Sequence, residues 1–337
     1  MKALSHRLHA FLGPFGALAA TALLLGAPTA AAAWEPTKPI TFVVTGGAGG
    51  GADQMARLIQ GIAAKHKLSK QPLVVVIMNG GGGGQGFMDV KNSAGDPHKI
   101  MIVLANVHSV PLSTKLPFHW RDTTPVSLMA LDEFVLWVNA KSPYKTLPEF
   151  LKAMKAAPAG EFKLGGAGRK REDEIVTAMI ESVANVDFTF IPYKGGGEIS
   201  SQLVGGHIEA DVNNPIEHVA HWKAGQVRPL CVLSDKRMPF QQPVADGKSW
   251  GDIPTCREQG MDAQYLMLRA ILMPKGVGKE QVDYYVNLLK RVKQTPEWKE
   301  FIDRGAYNDR FLAGDDFVKF HEVLRISCCA GLWHRDD

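Results

Sequence analysis

Glycine-rich segments are the part of this sequence whose composition and position could do chemistry. Glycine clusters at residues 46–51, 80–84 and 165–168, and the first and third clusters precede helical patterns. A glycine-rich loop that opens a helix presents free backbone N–H groups, and the helix dipole adds partial positive charge there. Glycine also lets a ligand approach the backbone closely. We therefore predict that these loops bind a small anion.

Two nucleotide-binding motifs could also explain the first glycine cluster. The phosphate-loop pattern G-x-x-x-x-G-K-[ST] fails because no Lys-Ser or Lys-Thr pair follows the glycines. The dinucleotide pattern G-x-G-x-x-A fits Gly47, Gly49 and Ala52, but the next strand ends at Asn79, where an acidic ribose ligand is expected. A turn without any ligand is a third interpretation. We favour anion binding and expect no cofactor.

Candidate catalytic groups are weak by comparison. No G-x-S-x-G motif occurs, and Pro143 interrupts the chance S-x-x-K match that begins at Ser142. Glu217, His218 and His221 share a helical face without H-E-x-x-H order, so we predict a surface face and no metal site. The adjacent carboxylates of residues 132–133 are interpreted as a solvated bend between two lobes. An exported enzyme that acts on a small anionic substrate remains the alternative function.

Residues 1–33 have the features of a secretory signal peptide. Lys2 and Arg7 precede an apolar stretch, which ends in a run of small residues before Trp34. We predict cleavage after Ala32 or Ala33 and a periplasmic location, with an uncleaved membrane anchor as the alternative. No later segment has the ~18 uninterrupted apolar residues that a membrane-spanning helix needs.

Composition, charge and cysteine content limit the domain number, the partners and the compartment that the chain can have. The chain has 337 residues, of which 45% are hydrophobic, and at roughly 100–200 residues per domain it should form about two domains. A net charge of +4 is too small to indicate nucleic acid as the main partner. In an oxidising compartment Cys231 and Cys256 could form a disulfide, with two buried thiols as the alternative. Cys328 and Cys329 lie in an unusual tail, residues 326–337.

Strand-like and helix-like patterns alternate along the chain, which is typical of an α/β fold. Apolar runs that indicate strands occupy residues 40–44, 73–77, 100–104, 134–138, 187–191 and 210–212. Several end in small or polar residues, among them Asn106 after the third run and Asn213 and Asn214 after the last. Ligand crevices of open α/β sheets lie at such carboxyl ends. We predict two α/β lobes with a cleft between them.

Seven short motifs follow one another in an order that matches one protein family. Residues 40–53 look like the family's P-x-x-P-G-G-G-T-D loop, and Asn79 with residues 82–86 looks like its N-R-P-G-A-G-G loop. The other matches lie at residues 166–168, 192–195, 224–228, 254–260 and 274–277. Together they span nearly the whole mature chain and resemble the solute-binding receptors of tripartite tricarboxylate transporters, of the TctC or Bug type.

The resemblance implies a two-lobed periplasmic binding protein, or Venus flytrap, in which each lobe is a mixed, mainly parallel sheet flanked by helices. Lobe 1 would comprise residues 34–133 plus 262–337, and lobe 2 residues 134–261. The implied function is that of a monomeric extracytoplasmic receptor that binds a small carboxylate. It would deliver this ligand to the membrane subunits of a tripartite tricarboxylate-type transporter.

In that family the first two loops hold a ligand carboxylate through backbone amides, and the second lobe meets the far end of the ligand. The candidate ligand-binding residues here are Ala48, Gly49, Gly50, Gly51, Ala52, Asp53, Gly82, Gly83, Gly84, Asn106, Gly166, Ala167, Gly168, Arg169, Asn213 and Asn214.

Arg169 departs from the family pattern, which usually has serine at this position. If Arg169 faces the cleft, the preferred ligand carries two separated anionic groups, one on the amides of the first loop and one on the guanidinium. The alternative is a solvated helix start, in which Arg169, Lys170 and Arg171 are neutralised by the acidic residues 172–174.

Overall fold

The computed structural model describes residues 33–330 of the chain, with side chains up to residue 323. The predicted signal peptide, apart from Ala33, and residues 331–337 of the predicted tail lie outside the described residues.

Strands and helices alternate through most of the described chain. The strands are β1 (Ile40–Val44), β2 (Leu73–Ile77), β3 (Lys99–Val103), β4 (Thr123–Glu133), β5 (Val135–Asn139), β6 (Lys163–Ala167), β7 (Thr189–Tyr193), β8 (Ala210–Asn213), β9 (Val227–Val232), β10 (Pro243–Ala245), β11 (Lys248–Ser249), β12 (Leu266–Pro274) and β13 (Leu312–Ala313). The helices are α1 (Gly51–Lys65), α2 (Gly84–Asn92), α3 (Asn106–Thr114), α4 (Leu147–Ala156), α5 (Glu172–Ala184), α6 (Gly196–Val204), α7 (Pro215–Lys223), α8 (Lys279–Lys293), α9 (Pro296–Arg304) and α10 (Gly314–Ala330).

The first sheet has the strand order β13-β4-β12-β3-β1-β2. β1 pairs in parallel with β2 and β3, whereas β12 runs antiparallel between β3 and β4. Ile40, Phe42, Val43 and Val44 of β1 have no solvent exposure, as expected for a strand that pairs in parallel on both sides and is covered on both faces. We call the part of the molecule built on this sheet lobe 1.

The second sheet has the strand order β7-β6-β8-β5-β9, and we call the part built on it lobe 2. β6 pairs in parallel with β7 and β8, and β5 runs antiparallel to β8 and β9. The chain crosses between the sheets twice, from β4 to β5 and from β9 to β12. Two mixed sheets flanked by helices confirm the predicted α/β architecture with two lobes.

The third glycine cluster differs from its prediction as a loop. β6 continues through Gly165 and Gly166 to Ala167, and side-chain packing leaves no room for a Cβ atom at either glycine. A Cβ on Gly165 would lie 2.5 Å from Ile208 Cδ1, and one on Gly166 would lie 2.5 Å from the Phe190 ring. Here glycine serves close packing on a strand rather than a turn.

The helices of the described residues include none with both the length and the apolarity needed to cross a bilayer.

Cys231 and Cys256 are joined by a disulfide, with their Cα atoms 4.9 Å apart. Both residues have no solvent exposure. Backbone hydrogen bonds accompany the link, since Cys256 N donates to Val232 O and Val232 N donates to Pro254 O. The disulfide therefore fastens the later part of the second crossover, at Cys256, to the end of β9.

Replacing both Cys231 and Cys256 with alanine is expected to lower the free energy of unfolding by about 3 kcal/mol. The crosslink closes a sequence separation of 25 residues, and its loss gives the unfolded chain more conformational freedom. Thermal unfolding of the variant and the wild type measures the loss. A reductant should lower the melting temperature of the wild type similarly and leave the double variant unchanged; an equal decrease in both proteins would contradict the assignment.

Candidate functional site

A small cavity lies where loops and helix ends of the two lobes meet. Its volume is about 30 Å³, which is room for little more than a water molecule. The lining residues are Gly46, Gly47, Gly50, Gly51, Ala52, Leu104, Ala167, Arg171, Glu172, Asp173, Gly195, Gly196, Asn213, Asn214, Glu217, Met267 and Arg269. The structure thus has the cleft in a closed form.

Helix N-termini converge on this cavity from both lobes. In lobe 1, α1 begins at Gly51 directly after the first glycine cluster, and α3 begins at Asn106 after β3. In lobe 2, α5 begins at Glu172 after β6, and α7 begins at Pro215 after β8. The first N–H groups of a helix have no partner within it, so each of these ends can bind an anion.

Two glutamates of lobe 2 bind helix N-termini of lobe 1. Glu217 Oε1 accepts a hydrogen bond from Gly51 N at 2.7 Å, and its Oε2 accepts from Asn214 N at 3.2 Å. Glu172 Oε1 accepts from Asn106 N at 2.5 Å. The side chains of this chain thus place carboxylate oxygens on the amides that open α1 and α3.

A buried ion pair lies behind these contacts. Arg269 Nε and Nη2 donate to Asp132 Oδ2 at 3.0 and 2.5 Å, and Nη2 also donates to Asn214 Oδ1 at 3.1 Å. Asp132 has no solvent exposure, so the prediction of a solvated bend was wrong there. Burial raises the pKa of Asp132 to about 7, although the Arg269 guanidinium opposes this shift.

Asp173 is the third carboxylate that lines the cavity. Its Oδ2 accepts a hydrogen bond from Ala167 N at 2.8 Å, at the end of β6. Burial raises the pKa of the Asp173 carboxyl to about 8, and burial also raises the pKa of Glu217. Three carboxyl groups, Glu172, Asp173 and Glu217, thus lie on the lobe 2 side of the cavity, and burial favours the neutral form of Asp173 and Glu217.

The first predicted loop lies at the cavity. Gly50, Gly51 and Ala52 line it, while Ala48 is exposed and Gly49 N donates to Asp53 Oδ2 at 2.9 Å. Gly49 is the residue of this loop with positive φ, at 72°. The amides of residues 49 and 51 are thus both already bound to carboxylates.

Close approach of the lobes depends on Gly47. A Cβ atom on Gly47 would lie 2.2 Å from Lys194 O and 2.9 Å from Gly195 Cα, both in lobe 2. This contact explains a glycine at position 47 without any ligand, because a larger residue would hold the lobes apart.

The second predicted loop supports the cavity from behind instead of lining it. Asn106 Nδ2 donates to Gly82 O at 2.7 Å, and Gly83 has a φ of 107°. A Cβ atom on Gly83 would lie 2.7 Å from Asn106 Nδ2, so glycine is required for this contact. Gly84 opens α2 and packs near Leu116.

Of the predicted residues of lobe 2, Ala167, Asn213 and Asn214 line the cavity. Gly166 and Gly168 are not among the lining residues. Gly166 packs within the sheet, and Gly168 has the positive φ of 71° that favours glycine.

Arg169 is placed at the surface of lobe 2. Its side chain is 60% exposed and its Nη1 donates to Glu174 Oε1 at 3.0 Å. Arg171, two residues later, is the arginine that is buried and lines the cavity. The interpretation of a solvated helix start thus holds for Arg169 but not for Arg171, Glu172 and Asp173, which are buried.

Sequence reasoning missed the charged residues of the cavity: Arg171, Glu172, Asp173, Glu217 and Arg269. The available signal was position, because Arg171 and its neighbours follow the third glycine cluster and Glu217 follows Asn214 and Pro215. The predicted surface face of α7 was wrong for His218, which has no exposure and lies 2.8 Å from Asp211 Oδ2. Among the described residues, no three His, Cys, Asp or Glu side chains are arranged to hold a metal ion.

Asp173→Asn is expected to flatten the pH dependence of stability between about pH 4 and pH 8. The folded-state pKa is raised from 3.8 to about 8, so the folded protein holds a proton that the unfolded chain releases across this range. Its stabilising effect is therefore lost as pH rises, by about 1.4 kcal/mol per pH unit. Melting temperatures at pH 5 and pH 8 report the slope. Asp262→Asn, at an exposed site, is the control; an unchanged slope in Asp173→Asn would contradict the raised pKa.

Comparison with known proteins shows a family match over most of the chain. The profile of the tripartite tricarboxylate transporter family receptor, TctC, matches residues 55–322. The UPF0065 protein in the gbd 5'region of Cupriavidus necator is 26% identical over 316 residues, which cover 92% of this chain and 92% of that protein. Protein BugT of Bordetella pertussis is 30% identical over 237 residues, which cover 68% of this chain and 70% of that protein.

Solved structures share the fold. MatC from Rhodopseudomonas palustris with bound malate has a TM-score of 0.72 and 23% identity, covering 88% of this chain and 97% of that chain. Another R. palustris protein, solved with adipate, has a TM-score of 0.78 and 20% identity, covering 88% of this chain and 96% of that chain. The fold is that of a two-lobed periplasmic binding protein. With the family profile matched from residue 55 to residue 322, the chain belongs to the tripartite tricarboxylate transporter family of receptors.

Proposed function

We propose that this protein is an extracytoplasmic solute receptor that binds a small carboxylate between its lobes. It delivers this ligand to the membrane subunits of a tripartite tricarboxylate-type transporter. The observation that carries the proposal is that Gly51 N and Asn106 N, at the starts of α1 and α3, each bind a carboxylate oxygen of this chain. Amides oriented for Glu217 and Glu172 are equally oriented for the carboxylate of a ligand.

Binding requires the lobes to separate. Sites for small molecules usually have volumes of about 300–1,000 Å³, far above the ~30 Å³ of the closed cavity. The two crossovers, from β4 to β5 and from β9 to β12, are the natural hinge. We retain residues 34–133 plus 262–337 and residues 134–261 as the two moving bodies.

The ligands of related structures support a carboxylate. Malate and adipate, named for the two R. palustris proteins, are both small organic acids. The alternative of an exported enzyme is set aside because the family is one of receptors. A thermal-shift screen of a carboxylate library tests the proposal, since a ligand at a hundredfold excess over Kd stabilises a protein by about 2.7 kcal/mol.

The proposed location is the periplasm, after cleavage of residues 1–33 following Ala32 or Ala33. The disulfide between Cys231 and Cys256 supports an oxidising compartment. We propose a monomer, with a membrane transporter as its protein partner.

Gly47→Ala is expected to block full closure and to weaken binding of the best carboxylate from the screen by tenfold or more. The new Cβ atom would lie 2.2 Å from Lys194 O when the lobes close, and its three nearest atoms all belong to Lys194 and Gly195 of lobe 2. Calorimetry measures the affinity. Small-angle scattering should show compaction on ligand binding in the wild type and less in the variant.

Gly61→Ala is the matched control for this experiment. Gly61 lies in α1, is exposed and has no atom within 4 Å of an added Cβ. It should leave affinity and compaction unchanged and stabilise the helix by about 0.5–1 kcal/mol. If Gly47→Ala also kept wild-type affinity and compaction, the contact between residues 47 and 194 would not form in the liganded protein.

A further inference from the structure

A second cavity lies beside the connections between the lobes, outside the cleft, and we call it the crossover cavity. Its volume is about 930 Å³, and none of the described residues that line it also lines the cleft cavity. One wall consists of residues 236–240 of the second crossover, and the other of side chains within residues 293–309, from the end of α8 to the turn after α9. Glu133, the last residue of β4, also lines it. Sites for small molecules have volumes of about 300–1,000 Å³ and often lie between domains, so this cavity has the size and the place of a ligand site.

Hydrogen bonds hold both walls in place. Phe240 O accepts a hydrogen bond from Gly251 N at 2.9 Å, which ties the first wall to the rest of the crossover. On the second wall, Trp298 Nε1 donates to Asp309 Oδ1 at 3.2 Å. Trp298 N donates to Thr295 Oγ1, which caps α9, at 3.3 Å. The protein alone therefore forms the cavity.

The surface of the cavity is largely apolar. Met238 and Phe240 line it from the first wall, and Trp298, Ile302 and Tyr307 line it from the second. Aromatic side chains thus contribute to both walls. A molecule with an aromatic or aliphatic body would lose apolar surface to these side chains on binding, which is a favourable change in water.

Within the described part of the chain, one basic side chain of the lining has no ionic partner. The other three form ion pairs: Arg237 with Glu258, Lys293 with Asp309, and Lys299 with Asp303. The remaining one is Lys236, which is exposed and forms no ion pair or hydrogen bond with a described residue. Its ammonium group is therefore available to an anionic group of a ligand.

A second polar group of the cavity is the carboxyl of Glu133. Its Oε2 is buried and has no hydrogen-bond partner among the described residues. Burial raises the pKa of the Glu133 carboxyl to about 8, although a hydrogen bond from Ser234 and the charge of Lys236 oppose this shift. At neutral pH the carboxyl is thus mostly protonated, so it does not repel an anion and can donate a hydrogen bond to one.

We propose that the crossover cavity is a second binding site, separate from the cleft, for an organic anion with an aromatic or aliphatic body. The body packs between Phe240 and Trp298, and the anionic group lies at Lys236 and Glu133. This inference goes beyond the function proposed above and is independent of it, because it uses no residue that lines the cleft cavity.

The test uses two fluorescent probes that differ in one anionic group. Anilinonaphthalene sulfonate has an aromatic body and a sulfonate, and phenylnaphthylamine has the same body without the sulfonate. Each probe is titrated with the folded mature protein at neutral pH, and the fluorescence of the probe gives the affinity and the stoichiometry. We expect one molecule of the sulfonate to bind per protein, about threefold or more tightly than the neutral probe.

Two variants locate this binding at the crossover cavity. Lys236→Gln removes the positive charge and should weaken binding of the sulfonate by about threefold or more, while the neutral probe keeps its affinity. Phe240→Ala removes apolar surface from one wall and should weaken both probes by about fivefold or more. Lys152→Gln and Leu112→Ala are the matched controls, because both residues are exposed and lie outside the cavity. The controls should change neither affinity.

Melting temperatures show whether each variant is folded, and the comparison of the two probes on the wild type does not depend on any variant. The inference is wrong if the folded wild type does not bind the sulfonate, if it binds the neutral probe equally tightly, or if Lys236→Gln and Phe240→Ala both keep wild-type affinity. None of these results would affect the proposed function, which depends on carboxylate binding at Gly51 and Asn106 in the cleft.

Discussion

The buried ion pair between Arg269 and Asp132 is the interaction on which the geometry of the cleft depends. Arg269 lies on β12 and Asp132 near the end of β4, so the pair joins the strands at which the chain leaves and re-enters lobe 1. Arg269 also binds Asn214, the residue before α7, and Asn214 Nδ2 donates to Glu133 O at 2.7 Å. Asn214 precedes α7, whose Glu217 accepts the hydrogen bond from Gly51 N. Removing one partner of such a buried pair typically costs about 3–5 kcal/mol.

In the closed form, side chains of lobe 2 occupy the helix N-termini of lobe 1 that a ligand would bind, so closure without ligand competes with ligand binding. Glu217 and Glu172 bring negative charge to the positive ends of α1 and α3, which are the ends that attract an anion. A ligand can favour one arrangement of the lobes only through the difference between its affinities for the two. Its contacts must therefore exceed those that the two glutamates already make, so the observed affinity depends on lobe 2 as well as on the amides of lobe 1.

Apolar patterns predicted most of the strands of the fold. They did not predict which charged side chains line the cavity. β1 and β2 begin and end where their apolar runs indicate, at residues 40–44 and 73–77. Gly165 and Gly166 were assigned to a loop because the packing that excludes their side chains comes from Ile208 and Phe190, which are distant in sequence. Glu217 was assigned to a surface for the same reason, since its partner Gly51 is 166 residues away. The family resemblance predicted a cleft between two lobes without these partners.

The disulfide has a mechanical consequence for the return crossover. Because a disulfide joins Cys256 to Cys231 at the end of β9, residues 232–255 do not lengthen the connection between the lobes. The connecting segment is then only residues 257–265, and Tyr265 N donates a hydrogen bond to Leu233 O at 3.0 Å. The other crossover, from Glu133 to Val135, is shorter still. Two short neighbouring connections permit one lobe to rotate against the other but oppose sliding or complete separation. The backbone, and not the ligand, therefore sets how far the cleft can open.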